Sequence, residues 1–250
     1  MFLSLLFLLF SPLYGEVRTT QSFSEVARDI DSNTLLIFDI DNTILRPAQM
    51  VGAEEWFCNY LQELCSKGMD HEEALNTALD VWTAIEMVTK VVPIEKTTPE
   101  VIAQVQQKTI RCMAITTRSP CLAHTTIKQL ASIGIDLNLT SPTNASFFLT
   151  NLPQVEFRDG ILFTDGPSKG SAFKAFLRQL RYRPKKVIFI DDKLHYVEDL
   201  NFLEKEGIAY LGFHYVNENQ YGESYDAKVA ATQLEAFTSI LSDNAARAQQ

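Results

Sequence analysis

Two carboxylates stand two residues apart at the end of an apolar segment. Residues 35–38 read Leu-Leu-Ile-Phe and predict a buried strand, and Asp39 and Asp41 follow at its carboxyl end. In an open parallel sheet, ligands bind at that end of the strands. Because clustered carboxylates repel each other and burial costs them hydration, a hard cation such as Mg²⁺ would stabilise the pair. A surface turn that starts a helix, with Asn42 or Thr43 as its N-cap, is the alternative interpretation.

A second predicted strand also ends in polar side chains. Residues 112–115 are apolar, and Thr116, Thr117 and Arg118 follow them. Thr116 is the preferred candidate for the site, and Thr117 competes with it. Arg118 either binds substrate or stays solvated, and the sequence leaves both interpretations open.

A third strand, predicted over 186–190, ends in Asp191 and Asp192. This pair would extend the carboxylate cluster if the strands are neighbours. The alternative is that the pair lies in a turn or caps the helix predicted over 195–205.

A lysine lies at the start of the helix predicted over 169–181. Lys169 and Lys174 are both candidates for the lysine of the site. Only Lys169 is placed at the helix start, where it would face the strand ends, and Gly170 permits a close approach.

Together, these four features resemble the four motifs of the haloacid dehalogenase superfamily of phosphotransferases. Those motifs are D-x-D-x-T, a strand-terminal Thr or Ser, a Lys and a strand-terminal acidic pair, and all occur here in that order. The resemblance covers roughly residues 34–215, apart from a helical insertion. It implies an α/β fold, a Rossmann-like three-layer α/β/α sandwich with a mostly parallel sheet. Secreted bacterial acid phosphatases and an uncharacterised group of exported bacterial members of the superfamily are the subgroups that the chain resembles.

The resemblance also implies a role for each residue. Asp39 would be the nucleophile that forms an aspartyl-phosphate, and Asp41 would protonate the leaving group and then deprotonate water. Thr116 would hydrogen-bond the phosphoryl oxygens, and Lys169 would neutralise their charge. The implied Mg²⁺ ligands are Asp39, the backbone carbonyl of Asp41, Asp191 and, directly or through water, Asp192.

The implied function is that of an exported Mg²⁺-dependent phosphatase acting on small phosphomonoesters. One alternative is a phosphotransferase of the same superfamily, and another is a non-enzymatic secreted binding or effector protein on the same fold. No residue separates hydrolysis from transfer. The presence of the whole motif set argues against a binding protein.

Helical patterns between the first and second motifs predict a cap. We expect a helical cap over 48–106, inserted into a core formed by 16–47 and 107–250. Such a cap would cover the active site. Trp56 and Trp82 are expected to pack inside it, with a place in the cleft as the alternative.

The rest of the chain alternates between predicted strands and helices, apart from 135–154, which gives no clear pattern. The predicted elements are a helical lead-in over 16–32, helices over 122–133, 195–205 and 228–242, a strand over 208–213 and a hairpin over 155–163 that turns at Asp159-Gly160.

The amino terminus and the composition indicate an exported protein that does not bind nucleic acid. Residues 2–10 form an apolar run, and Pro12 and Gly15 follow, so residues 1–15 are predicted to be a signal peptide despite the absence of a basic residue. A buried first strand or helix is the alternative. Cleavage would leave a periplasmic or secreted chain with no stable membrane span. The net charge of −9 argues against a polyanionic partner, so the expected partner is a small phosphorylated substrate.

The cysteines and histidines carry no metal-site spacing. Cys58 and Cys65 lie about 10 Å apart along one predicted helix, too far for a mutual disulfide. A bridge from one of them to Cys112 or Cys121 and four buried free thiols are the two interpretations. The histidines, none of which is assigned to metal, are His71, His124, His195 and His214.

Overall fold

The computed structural model describes residues 15–216 and 225–241. The strands within these ranges are β1 (Glu16–Thr20), β2 (Thr34–Phe38), β3 (Leu45–Pro47), β4 (Val91–Pro93), β5 (Arg111–Thr116), β6 (Phe147–Leu149), β7 (Leu152–Arg158), β8 (Ile161–Phe163), β9 (Lys186–Asp191) and β10 (Ala209–Tyr215). The helices are α1 (Phe23–Val26), α2 (Glu54–Ser66), α3 (His71–Glu86), α4 (Thr98–Gln107), α5 (Ala123–Ser132), α6 (Lys169–Leu180), α7 (Leu194–Asp199), α8 (Phe202–Lys205) and α9 (Ala227–Leu241).

The main sheet has the strand order β1-β10-β9-β2-β5-β8-β7-β6. Every pair from β1 to β8 in this order is parallel, and β7 and β6 add two antiparallel pairs at one edge. Phe38 pairs with Ala114 of β5 and Ile190 of β9, so the ends of β2, β5 and β9 meet at the same edge of the sheet. The predicted α/β class with a mostly parallel sheet is confirmed.

Both faces of the sheet are covered, which explains why β2 is apolar without alternation. Leu36 and Phe38 point into a core shared with α1, α4 and α5. Leu35 and Ile37 point into the opposite core, which is filled by aromatic residues of α6 such as Phe173. All five residues of β2 are buried, so the strand is packed between two helical layers.

Two predicted elements differ from the structure, and a third is confirmed. Residues 16–20 of the predicted helical lead-in form the edge strand β1, in which Val17, Thr19 and Thr20 favour extended backbone. The helix predicted over 195–205 is two short helices, α7 and α8. The hairpin at Asp159-Gly160 is confirmed as the antiparallel pair of β7 and β8.

The insertion leaves and rejoins the core through a two-stranded ribbon. Leu45 of β3 pairs with Pro93 of β4, and α2 and α3 lie between these strands in the sequence. The third helix of the predicted cap, α4, instead packs on the sheet, where Ile102 and Val105 are buried in the main core. An amphipathic pattern shows that one face of a helix is buried, but not which surface covers it.

The carboxyl-terminal helix α9 packs on the insertion. Ala230 of α9 is buried in a cluster with Val51, Trp56 and Ile85. The Val51 backbone N–H donates a hydrogen bond to Gln233 Oε1 at 3.0 Å. This helix was predicted within the core segment 107–250, but its apolar contacts are to the insertion.

Three further predictions concern the leader and the cysteines. The predicted signal peptide, apart from Gly15, lies outside the described residues. Among the described helices, none is long and apolar enough to cross a membrane. The four cysteines are free, but only Cys112 is buried, so the expectation of four buried thiols is wrong. Cys58 on α2 and Cys121 just before α5 are both exposed to solvent.

Candidate active site

Three carboxylates converge at the carboxyl ends of β2 and β9. The Asp39 backbone N–H donates to the Ile190 carbonyl at 2.8 Å, which continues the ladder between the two strands. One carboxylate oxygen from each of Asp39, Asp191 and Asp192 lies within 4.8 Å of the other two. Asp39 and Asp191 are buried, so the cluster lies at the floor of the site and not on a solvated turn. None of the described histidines belongs to it.

Lys169 lies between two of these carboxylates. Its Nζ is 2.5 Å from Asp39 Oδ1 and 2.6 Å from Asp191 Oδ2. Lys169 is the first residue of α6, which Ser168 caps by accepting a hydrogen bond from the Ser171 N–H. Lys174, the competing candidate, lies one turn further along α6 and forms an ion pair with Glu206.

Gly170 allows α6 to approach the site this closely. A Cβ atom at this position would lie 2.3 Å from the Asp199 carbonyl oxygen of α7, which is a prohibitive contact. The Gly170 N–H also donates to Asp199 Oδ2. The absence of a side chain therefore sets the distance between α6 and α7, and with it the position of Lys169.

Burial dominates the electrostatics of the cluster. It raises the pKa of Asp39, raises that of Asp191 to about 8 and raises that of Asp192 to about 7, against the opposing effect of neighbouring lysines. Burial alone would lower the pKa of Lys169, but the carboxylates of Asp39 and Asp191 outweigh it and the net pKa is raised. The cluster therefore has more negative charge than one ammonium can neutralise. Three hard oxygen donors in this arrangement fit a Mg²⁺ ion.

The loops after β2 and β9 are joined by Thr43. This residue is buried, and its Oγ1 accepts a hydrogen bond from the Asp192 N–H at 3.1 Å. No helix begins at Asn42 or Thr43, so the N-cap alternative for the first motif is wrong. Asn42 instead adopts a left-handed conformation, with φ of 58°, that turns the chain back towards Leu45. Thr43, the threonine of the first motif, therefore holds two carboxylate loops together.

The Asp41 side chain lies near enough to Asp39 to raise the pKa of that carboxyl, and it is bound by Arg118. Both of its oxygens accept hydrogen bonds from the guanidinium, at 2.7 and 2.8 Å. The Arg118 side chain is 1% exposed, so the interpretation of a solvated arginine is wrong. The sequence did not identify Glu86, Thr126 and Gln129, which also bind this guanidinium.

The two candidate threonines occupy different positions. Thr116 ends β5, is buried, and accepts a hydrogen bond from the Arg118 N–H through Oγ1 at 3.2 Å. Thr117 lines the cavity above the strand ends. The structure therefore leaves the preference for Thr116 as a prediction.

A cavity of about 970 Å³ lies between the strand ends and the insertion. Its floor includes Asp39, Lys169 and Asp192. Its opposite wall comes from α2 and α3, including Phe57, Leu79, Asp80 and Trp82. Trp56 packs inside the insertion as expected, whereas Trp82 both lines the cavity and donates its indole N–H to the Gly52 carbonyl at 2.9 Å. The cavity is large enough for a small organic ligand.

Comparisons with known proteins identify relatives over almost the full chain. A family model described as "Protein of unknown function (DUF2608)" matches residues 19–247. A protein of Chlamydia trachomatis serovar D with the provisional name of outer membrane protein is 30% identical over 251 residues, covering 97% of this chain and 94% of its own length. A Chlamydia pneumoniae protein with the same provisional name is 30% identical over 237 residues, covering 93% and 88%.

Among solved structures, a class C acid phosphatase from Bacillus anthracis with tungstate bound resembles the chain at 16% identity and a TM-score of 0.39, covering 86% of this chain and 81% of that one. The α/β architecture of this chain is established by its own strand order.

Proposed function

We propose that this chain, which belongs to the DUF2608 family, is a Mg²⁺-dependent phosphatase that hydrolyses small phosphomonoesters through an aspartyl-phosphate on Asp39. One observation carries the proposal: Lys169 lies between Asp39 and Asp191, within a three-carboxylate cluster, at the ends of two adjacent parallel strands. A carboxylate nucleophile beside an ammonium, with further carboxylates that could hold Mg²⁺, suits the transfer of a dianionic phosphoryl group in a ligand-sized cavity.

The cluster would hold the metal through the carboxylates of Asp39, Asp191 and Asp192 and the backbone carbonyl of Asp41. When bound, Mg²⁺ would neutralise negative charge on the phosphoryl oxygens. Lys169 would remain protonated beside the nucleophile and reduce the repulsion between Asp39 and the incoming phosphate. Thr116 or Thr117, at the end of β5, would supply a hydroxyl donor on the other side of Asp39.

Two displacements then account for the reaction. A carboxylate oxygen of Asp39 attacks phosphorus, the ester P–O bond breaks, and the leaving oxygen takes a proton from Asp41. In the second step, Asp41 removes a proton from water as the water oxygen attacks phosphorus, which releases inorganic phosphate and restores Asp39. Asp41 lines the cavity beside Asp39, as both steps require.

A division of the chain into a core and a cap is also proposed. We propose a catalytic core of 16–47 and 107–250, with residues 48–106 as a cap, and with two amendments from the packing. Helix α4 supports the core, and α9 completes the cap. Substrate selection would be a property of α2 and α3, because these helices form the wall that faces the phosphoryl site.

Export to the periplasm or the exterior is also proposed. It is supported by the apolar run over 2–10 and by relatives whose provisional names place them in the outer membrane. Sequencing the amino terminus of the protein recovered from its native host tests this, and an intact Met1 on a cytoplasmic protein would contradict it.

The decisive experiment is a panel of phosphomonoesters assayed with Mg²⁺ and with EDTA. We expect phosphate release that requires Mg²⁺ and is abolished in Asp39→Asn, because an amide is a poor nucleophile for phosphorus. Rapid quenching followed by peptide mass analysis should find phosphate on Asp39. Full activity in EDTA, or phosphate on another residue, would contradict the proposal. Adding an alcohol acceptor to the same assay separates hydrolysis from phosphotransfer.

A further inference from the structure

All the donor groups of Arg118 are used inside the protein. Nε and Nη2 donate to the two oxygens of Asp41, and Nη2 also donates to Glu86 Oε2 at 3.0 Å. Nη1 donates to Thr126 Oγ1 at 3.0 Å and to Gln129 Oε1 at 2.6 Å. These bonds account for the five N–H groups of a guanidinium. Arg118 therefore has no donor left for a substrate phosphate, which argues against its role as a substrate ligand.

The contact with Asp41 fixes the orientation of that carboxylate. Two parallel hydrogen bonds between a guanidinium and a carboxylate hold both planar groups in one relative geometry. The Asp41 side chain is 32% exposed and lies in a loop where Asn42 reverses the chain. Loop backbone alone would leave such a side chain free to rotate. Arg118 is the group that prevents this.

The other partners of Arg118 hold it in place from two directions. Thr126 and Gln129 lie one turn apart on α5, a core helix. Glu86 ends α3, a helix of the insertion, and Gln129 Nε2 donates to Glu86 Oε2 and to the Thr89 carbonyl, each at 3.2 Å. The same buried group thus contacts the first-motif loop, the core and the insertion.

Separating the first-motif loop, α5 and the insertion would destabilise the protein. Arg118 and Glu86 have side chains that are 1% exposed, and a buried charge that loses its partner destabilises a protein strongly. Oε1 of Glu86 has no hydrogen-bond partner among the described residues, and burial raises the pKa of Glu86 to about 7 although Arg118 opposes this. The position of the insertion on the core and the orientation of Asp41 therefore both depend on the hydrogen bonds of Arg118.

We propose that Arg118 is a positioning residue that holds Asp41 in the orientation required for proton transfer, and that Thr126, Gln129 and Glu86 set the position of Arg118. The inference rests on the proposed phosphatase function. It concerns the step in which the leaving oxygen is protonated, and it does not concern phosphate binding.

Two esters distinguish the positioning of Asp41 by Arg118 from a role of Arg118 in phosphate binding. A nitrophenolate leaves without a proton, whereas the alkoxide of an alkyl phosphate requires one, so only the alkyl ester depends on Asp41 in the first step. The value of kcat/KM reports that step, and kcat also includes hydrolysis of the aspartyl-phosphate common to both esters. In Arg118→Lys, the charge stays but the two-pronged contact is lost.

For Arg118→Lys, we expect kcat/KM for the alkyl ester to fall by about 10- to 100-fold, and that for nitrophenyl phosphate to change by less than about twofold. The kcat values of the two esters should converge, and phosphorylated Asp39 should accumulate with nitrophenyl phosphate. Asp41→Asn should give the same pattern with a larger loss. An equal fall in kcat/KM for both esters would overturn the inference and leave the phosphatase proposal intact.

A milder variant covers the case in which Arg118→Lys does not fold. Thr126→Val removes one hydrogen bond to Arg118 from a buried position that contacts neither the cavity nor Asp41. We expect the same selective loss with the alkyl ester, reduced to severalfold. Thr125→Val is the matched control and should behave as wild type, because Thr125 lies on the same helix and its side chain forms no hydrogen bond within the described part of the chain. Equal behaviour of the two valine variants would overturn the inference. If the wild-type protein hydrolyses neither ester with Mg²⁺, the phosphatase proposal fails and this inference fails with it.

Discussion

Lys193 Nζ lies 2.6 Å from Oε1 of Glu54, the first residue of helix α2. The same ammonium is 3.2 Å from Asp192 Oδ2, and the second oxygen of Glu54 accepts a hydrogen bond from Asn42 Nδ2 at 2.8 Å. Glu54 therefore ties the beginning of the insertion to both loops that carry the carboxylate cluster. Glu86, at the end of α3, accepts a hydrogen bond from Arg118 of the core. The beginning of α2 and the end of α3 are therefore both bonded to the core next to the site.

Replacing Glu54 by glutamine should weaken substrate binding more than folding. The side chains of Glu54 and Lys193 are about 40% exposed, and ion pairs of this kind stabilise a protein by less than about 1 kcal/mol. We expect KM to rise by up to about fivefold with little change in Tm, because the insertion would close less tightly. Steady-state kinetics on Glu54→Gln and Glu55→Gln checks this. Glu55 lies in the same turn and forms no ion pair with any residue that the structure describes. An equal KM in the two variants would contradict the prediction.

Magnesium should stabilise the protein in a pH-dependent manner. Burial raises the pKa of Asp191 to about 8 and of Asp192 to about 7, whereas an unfolded aspartate titrates near ~3.9. Without metal, the folded state thus binds more protons between about pH 4 and pH 8, and stability is lost as the pH rises through this window. Mg²⁺ requires ionised carboxylates, so it should raise Tm more at pH 8.5 than at pH 5. Thermal melts in EDTA and in Mg²⁺ test this, and a Mg²⁺ shift that is independent of pH would argue against the site.

The two lysines of α6 should respond differently to the same substitution. Lys169→Met leaves two buried carboxylates without their cation. We therefore expect turnover to be lost and the Tm measured without Mg²⁺ to fall markedly. Lys174→Met removes an ion pair with Glu206 in which each side chain is 35% exposed, and it should retain activity. Phosphatase assays and thermal melts on both variants provide the comparison. An active Lys169→Met protein would remove this lysine from the proposed mechanism.

The charge of the cavity should set the preferred leaving group. Each cation that lines it already forms an ion pair, Arg118 with Asp41, Lys169 with Asp39 and Lys193 with Glu54. Asp80, on the wall opposite, has no ion pair among the described residues. The wall that faces the leaving group therefore carries a negative charge that no cation of the cavity neutralises. Amino-alcohol phosphates, whose leaving group is positively charged, should give a higher kcat/KM than carboxyalkyl phosphates of the same size.

Asp80→Asn should narrow that difference, since one negative charge leaves the wall. Glu72→Gln provides the control, because Glu72 lies on the same helix away from the cavity. A preference for the carboxyalkyl ester in the wild-type protein would contradict the prediction.

Removing the insertion should expose α9. Deleting 53–88 keeps the β3–β4 ribbon and α4, whereas deleting 50–106 removes Ile102 and Val105 from the main core. We expect the longer deletion to prevent folding. The shorter one should be soluble only when residues from 225 onward are also removed, because α9 otherwise presents its apolar face to solvent. Gel filtration and circular dichroism distinguish these outcomes, and a soluble monomer carrying the shorter deletion with an intact α9 would contradict the packing.

The sequence predicted which polar residues meet at the strand ends. Asp39, Asp191 and Thr116 each end an apolar run, and parallel strands bring such ends together regardless of how distant they are in the sequence. Whether Thr116 or Thr117 serves the site stays a prediction. The network around Arg118 could not be found this way. Glu86, Thr126 and Gln129 are polar helix residues of types that are ordinarily exposed, but here they are buried around the Arg118 guanidinium.

The same reason explains why the packing of α9 and the conformation of β1 could not be predicted. The pattern of α9 predicted a helix with one buried face, but the surface that covers this face belongs to the insertion, which lies far earlier in the chain. Strand β1 is short and has a mostly exposed pattern, so its conformation depends on the ladder with β10 more than on its own residues.

That ladder also fixes when the amino-terminal edge of the sheet can form. Glu16 pairs with Leu211, and Thr20 with Tyr215, so β1 has no strand to join until nearly the whole chain has been synthesised. During the proposed export, the backbone just after the predicted leader would stay extended and unpaired while the rest of the polypeptide follows. A peptidase that cuts before Glu16 would therefore act on accessible backbone, and the arrival of β10 would end that period of access.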